Sequence, residues 1–112
     1  FKEETMSLTL AGIEGLEKIQ EIMSYYRNNK IESFNNKKVV EVKDYSMGID
    51  NLPKANVLKY FLEDESWVAI RPSGTEPKLK FYIAVKGKEE SECDEKVAGI
   101  KSSISEVLNT LM

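Results

Sequence analysis

Hydrophobic and polar residues change their spacing several times along this 112-residue chain. Residues 1–11 form a lead-in in which Met6, Leu8 and Leu10 alternate with Thr5, Ser7 and Thr9, the period of a short strand. From Gly12 the period lengthens. Ile13, Leu16, Ile19, Ile22, Met23 and Tyr26 recur at three- and four-residue steps, with Glu14, Glu17, Lys18 and Glu21 between them. That is an amphipathic helix with one apolar face, and Asn28 and Asn29 are its stop signals. A polar turn at residues 35–38 leads into Val39, Val40 and Val42, β-branched side chains suited to a strand. Residues 46–54, with Gly48, Asn51 and Pro53, read as a loop.

Three further strands follow at residues 57–62, 67–71 and 79–86, separated by a polar turn at 63–66 and a loop at 72–78. Alternation puts Val68 and Ile70 on one face, with Trp67, Ala69 and Arg71 on the other. In the last strand Phe81, Ile83 and Val85 share a face opposite Lys80, Tyr82 and Ala84. Gly87 ends the strands. Ser91 is the predicted N-cap of a second helix, with Asp94 as a capping-box partner, and Val97, Ile100, Ile104, Val107, Leu108 and Leu111 form its apolar stripe. The order helix, four strands, helix predicts an α+β domain in two layers: a four-stranded, mainly antiparallel sheet with both helices on one face.

Composition narrows the function. The 16 basic and 19 acidic residues give a net charge of −3, against the basic excess expected of a nucleic-acid binder. A sheet presenting Trp67, Tyr82 and Lys80 to single-stranded nucleic acid is the alternative that this charge disfavours. The chain has no histidine, so Ser-His or Cys-His catalysis and histidine metal sites are excluded within it. The single cysteine, Cys93, cannot form an internal disulfide and is compatible with a cytoplasmic protein. No run of apolar residues approaches a membrane span. The first residue is Phe1, which suggests an excerpt or a processed product.

One stretch gathers donors: Arg71-Pro72-Ser73-Gly74-Thr75-Glu76-Pro77-Lys78-Leu79-Lys80-Phe81-Tyr82. Arg71 carries a planar fork matched to paired phosphate oxygens. Ser73 and Thr75 each offer a hydroxyl and an N–H, and Gly74 lets the backbone come close to a ligand. Successive N–H groups in such a turn can cradle an anion. Pro72 and Pro77 bracket the loop, and Lys80 falls on the same side as Arg71. Glu76 is the one acid among them. Residue types alone leave an anion site and a plain hairpin loop evenly matched.

The string RPSGTEPKLKFY resembles the phosphate-binding loop in the last domain of the α-D-phosphohexomutases, of the phosphoglucomutase/phosphomannomutase type. Gly12-Ile13-Glu14-Gly15-Leu16 with Ile22-Met23 is similar to the start of that domain's first helix, and Asp44-Tyr45 to its loop entry. The resemblance covers nearly the whole chain. It implies a TATA-binding-protein-like α+β fold and a domain excised from a larger cytoplasmic mutase. Arg71, Ser73, Gly74, Thr75 and Lys80 would hold the non-reacting phosphate of a hexose phosphate. The other domains of the parent would supply a phosphoserine and a magnesium ion (Mg2+). No catalytic residue, metal site or cofactor is implied for this chain, since loops resembling TASHNP, DGDGDR and GEESG are missing from it. The isolated chain is therefore expected to be inactive. Phosphopentomutase and glucosamine-phosphate mutase types are the alternatives within the superfamily.

Overall fold

Alternation along the strands decides which side chains meet the helices, and the observed ladder follows it. The computed structural model describes residues 1–48 and 53–112. The elements are β1 (Lys2–Thr9), α1 (Gly12–Asn28), β2 (Ser33–Phe34), β3 (Lys37–Asp44), β4 (Leu58–Leu62), β5 (Trp67–Pro72), β6 (Lys78–Val85) and α2 (Glu90–Leu111). A 3₁₀ turn, Tyr45–Met47, follows β3. Of the predicted loop at 46–54, residues 49–52 lie outside the described residues. The strands form one antiparallel sheet in the order β1-β6-β5-β4-β3-β2.

The sheet has six strands, not the four expected, and each addition has a physical reason. The lead-in pairs along its whole length with β6, from Lys2 opposite Val85 to Thr9 opposite Lys78. Its alternation puts Met6 and Leu8 against the core while Thr5, Ser7 and Thr9 stay exposed. β2 is only two residues long and has no period to read. It forms because Asn35 and Asn36 both take positive φ, at 52° and 62°, the geometry of a tight hairpin turn. The Asn35 N–H donates to Ser103 Oγ at 2.8 Å, tying that turn to α2.

Both helices lie on one face. Ile19, Ile22, Met23 and Tyr26 of α1, and Cys93, Val97, Ile100 and Ile104 of α2, bury against Leu58, Tyr60, Val68, Ile70, Leu79, Phe81, Ile83 and Val85. Tyr26 is a hub. Its ring meets those of Tyr25 at 5.6 Å, Tyr60 at 6.3 Å and Phe81 at 6.3 Å, all edge-on, the favoured aromatic geometry. The Tyr60 hydroxyl donates to the Tyr26 carbonyl at 3.0 Å. Burial pushes both phenols well above the usual tyrosine range.

Some apolar positions do not enter this core. Ile13 is 75% exposed and Leu16 39%, although both fit the helical stripe. Val40 and Val42 are likewise exposed. The register slips between Val39 and Glu41, a bulge of the kind that turns a strand near a sheet edge away from its neighbours. The helix α2 begins with Glu89 in the cap position and no side-chain cap bond, so Ser91 is inside the first turn rather than capping it. Instead the Glu92 carboxylate accepts the Lys88 N–H at 2.9 Å. Among the described residues, no helix is long and apolar enough to cross a membrane.

Two carboxylates fasten loops to helices. Asp44 receives Arg27 Nε at 2.9 Å and the Ser46 N–H at 3.0 Å, so the residue at the loop entry ties the 3₁₀ turn to the end of α1. Asp64 receives Lys96 Nζ at 3.0 Å and the Ser66 N–H at 3.2 Å. Burial pushes both carboxyls up, but the bonds they accept outweigh it and hold each below the ordinary value of 3.8. A carboxyl held low in the folded state contributes stability that is complete above the unfolded value and is lost as pH falls through the folded one. Thermal unfolding from pH 7 to 3 is therefore expected to show a loss of stability setting in below about pH 4. Asp64→Asn should be less stable at pH 7 and flatter towards pH 3; an unchanged pH profile would refute the assignment.

Candidate functional site

The sheet face away from the helices is open, and its chemistry differs from one end to the other. β5 and β6 are joined by residues 73–77. Arg71 stands opposite Lys80 in the ladder, and Pro72 opposite Leu79. Lys78, Lys80 and Tyr82 occupy alternate, half-buried positions of β6, between the buried Leu79, Phe81 and Ile83. Period-2 geometry thus places all three on the open face with Arg71.

These residues border a cleft of about 350 Å³ whose lining includes Arg71, Ser73, Gly74, Lys78, Lys80 and Tyr82. The structure brings together four of the five residues singled out from sequence: Arg71, Ser73, Gly74 and Lys80. The fifth, Thr75, is at the exposed loop tip and does not line the cleft. Glu76 does line it. Lys78 and Tyr82 join them; the sequence points to Tyr82 only for the disfavoured nucleic-acid face, and to Lys78 for no site. Lys78 falls in the loop expected at 72–78, but it is the first residue of β6, which puts it in phase with Lys80. Strand alternation carried back one step would have found it.

The loop's hydrogen bonds sort its donors into committed and free. The Ser73 N–H donates to the Lys78 carbonyl at 2.9 Å, and the Lys78 N–H to the Glu76 carbonyl at 2.8 Å. The Glu76 N–H donates to Ser73 Oγ at 3.3 Å. The anion cradle read from sequence thus loses the Ser73 N–H. Among the described residues, the N–H groups of Gly74 and Thr75 donate to no one. Ser73 Oγ accepts a bond and keeps its own hydrogen to give.

Gly74 is not in the left-handed region, and a Cβ there would meet nothing within 4 Å. Neither the backbone conformation nor the surrounding protein demands glycine. Gly74 is among the residues that line the cleft. Gly15, by contrast, is required by packing: a Cβ would come within 3.0 Å of Leu10 Cβ and 3.0 Å of Pro77 Cβ. The Leu10 N–H donates to the Pro77 carbonyl at 2.8 Å. The β1–α1 junction therefore buttresses the loop from behind.

Many of the basic residues are paired with carboxylates. Lys2 pairs with Asp94, Lys18 with Glu21, Arg27 with Asp44, Lys86 with Glu65, Lys96 with Asp64 and Lys101 with Glu4. Among the described residues Arg71, Lys78 and Lys80 make no ion pair. A larger cleft of about 1030 Å³ lies between the end of α1 and β3. Its arginine, Arg27, is already held by Asp44 and by Asn56 Oδ1 at 2.8 Å.

Residues 16–106 match the family model described as phosphoglucomutase/phosphomannomutase, C-terminal domain. The chain belongs to this family. The match takes in all of α1 after its first turn, the whole sheet except β1, and most of α2. A phosphoglucomutase of Staphylococcus aureus is 41% identical over 96 residues, covering 75% of this chain and 17% of its own length. One of Staphylococcus saprophyticus is 35% identical over 96 residues, covering 76% of this chain and again 17% of its own. The chain thus corresponds to about a sixth of these relatives. Among the described residues of this family member, no three Asp, Glu or Cys side chains gather as a metal-ligand set.

Proposed function

We propose that this chain is the phosphate-holding domain of a sugar-phosphate mutase of the phosphoglucomutase/phosphomannomutase type. Arg71, Ser73, Gly74, Thr75 and Lys80, joined by Lys78, hold the non-reacting phosphate of a hexose phosphate. The phosphoryl transfer belongs to the rest of a longer protein, an isomerase acting on glucose 1-phosphate, glucose 6-phosphate or a related ester. The chain alone is inactive. The Mg2+ of such an enzyme would be held by residues outside this chain, and no step proposed here runs through it. The placement of both helices on one face supports the TATA-binding-protein-like reading of the fold.

One observation carries the reading: three cations without a carboxylate partner among the described residues share one cleft with a hydroxyl donor and the uncommitted N–H of Gly74, and the uncommitted N–H of Thr75 is next in the loop. Arg71 supplies a fork for two oxygens of a dianion, while Lys78 and Lys80 act as point charges from the strand opposite. Loop N–H groups add direction. Glu76 at the rim lowers the net positive charge and limits the grip on a free anion.

An amide NMR titration with glucose 1-phosphate and, separately, sulfate tests it. Saturable shifts confined to residues 71–75, Lys78 and Lys80 are expected. A loop that stays unperturbed at high ligand concentration would overturn the reading. Gly74→Ala offers a companion test. With nothing within 4 Å of the new methyl group, its melting temperature should match the parent's. The methyl group occupies space a phosphate oxygen would take, so affinity should fall about three- to tenfold, or roughly 1 kcal/mol.

A further inference from the structure

We infer that Tyr82 is the carbohydrate-side wall of the anion cleft, so that the site takes a phosphate borne on a hydroxylated ring in preference to free phosphate. The inference rests on the phosphate reading above and deepens it. Tyr82 lines the cleft together with Arg71 and Lys80. Alternate residues of a strand are roughly 7 Å apart. The phenol therefore sits one step inward from the Arg71–Lys80 pair, on the side away from the loop tip.

What surrounds the phenol matters as much. Its cross-strand neighbours are Ala69 on β5 and Thr5 on β1. The next residue of β6 on the same face is Ala84, and both alanines are buried. These two side chains end at Cβ and so stand lower than the phenol beside them. Past them, Lys59 Nζ lies 4.1 Å from the Trp67 ring and 5.0 Å from that of Phe61, closing the trough with a cation already held by aromatic faces. This face thus runs from a cationic end, through one aromatic wall, to buried alanines.

Inorganic phosphate would use only the cationic end. A hexose phosphate attaches its dianion through one oxygen to a ring with C–H faces and hydroxyl edges. With the dianion at Arg71 and Lys80, that ring falls alongside Tyr82. The aromatic face suits the C–H face, and the phenol can both donate to and accept from a ring hydroxyl. The Tyr82 hydroxyl makes no hydrogen bond among the described residues, so it is available.

The test titrates the 112-residue chain, Tyr82→Ala and Tyr82→Phe with inorganic phosphate and with glucose 6-phosphate, followed by amide NMR, which also reports that each variant is folded. Glucose 6-phosphate should bind the parent about tenfold more tightly than phosphate. Tyr82→Ala should reduce its affinity about five- to tenfold and leave phosphate within about twofold. Tyr82→Phe, which keeps the ring, should lose only about two- to threefold. Equal losses for the two ligands, or no loss for either in Tyr82→Ala, would overturn the inference and leave the phosphate reading standing. A parent chain that binds neither ligand would remove both.

Discussion

Replacing Arg71 by alanine is expected to weaken hexose-phosphate binding by about 10- to 100-fold while leaving the fold intact. A hydrogen bond to a charged partner contributes about 1.5–3 kcal/mol, and about 1.4 kcal/mol is a factor of ten in affinity. Arg71 is exposed and outside the core cluster. It has no carboxylate partner among the described residues, so removing it strands no buried charge. Stability should therefore move by less than about 0.5 kcal/mol, as for ordinary surface substitutions. Lysine at the same position keeps the charge but loses the planar fork, and should recover only part of the affinity. Titration of the three proteins beside their melting curves checks this. A variant that binds as well as the parent would show that Arg71 is not the grip.

The second large effect acts from behind the site. Gly15 is buried in the first turns of α1, pressed between Leu10 and Pro77. In Gly15→Ala, the new Cβ must push both neighbours by a few tenths of an ångström, which offsets the roughly 1 kcal/mol that alanine brings to a helix interior. Gly15→Leu has no such escape. Overpacking a tight site costs about 1–3 kcal/mol, so a melting temperature lower by roughly 10 °C is expected. Displacement of Pro77 also shifts the start of β6, and Lys78 and Lys80 with it. Affinity for hexose phosphate should fall several-fold although no ligand-facing residue has changed. If Gly15→Leu melts early yet binds normally at a temperature where it is folded, the buttress is structural only.

How much of this was legible follows from particular residues. The stripe from Ile19 to Tyr26 and the alternation of Phe81, Ile83 and Val85 are visible because burial selects side chains at the period of the backbone. The same logic failed for Ile13 and Leu16. A helix keeps its period beyond the reach of the sheet, so apolar spacing persists where no partner stands. β2 was invisible because two residues carry no pattern; the paired asparagines after it were the signal that a hairpin turn was there. β1 was seen as a strand but not counted into the sheet, because Lys2, Glu3 and Glu4 dilute its alternation. Within the site, the donor residues were legible as a string, yet their accounting was not. Only the fold shows that the Ser73 N–H is spent on Lys78, that Thr75 lies off the cleft, and that Lys78 stands in file with Lys80 and Tyr82.

The division of labour between loop and strand has a consequence for how this domain changes over time. β6 is hydrogen-bonded on both sides, to β1 and β5, and its inner face is covered by both helices. The loop at 73–76 touches little else, and Gly74 touches nothing that a methyl group would disturb. Leu79, Phe81, Ile83 and Val85 of β6 pack into the core, while Lys78, Lys80 and Tyr82 of the alternate row line the cleft proposed to hold the ligand. Substitutions of the loop residues and of Arg71 should therefore weigh little on folding. A lineage released from its substrate can lose the grip, or acquire a different one, while the domain remains as soundly folded as before.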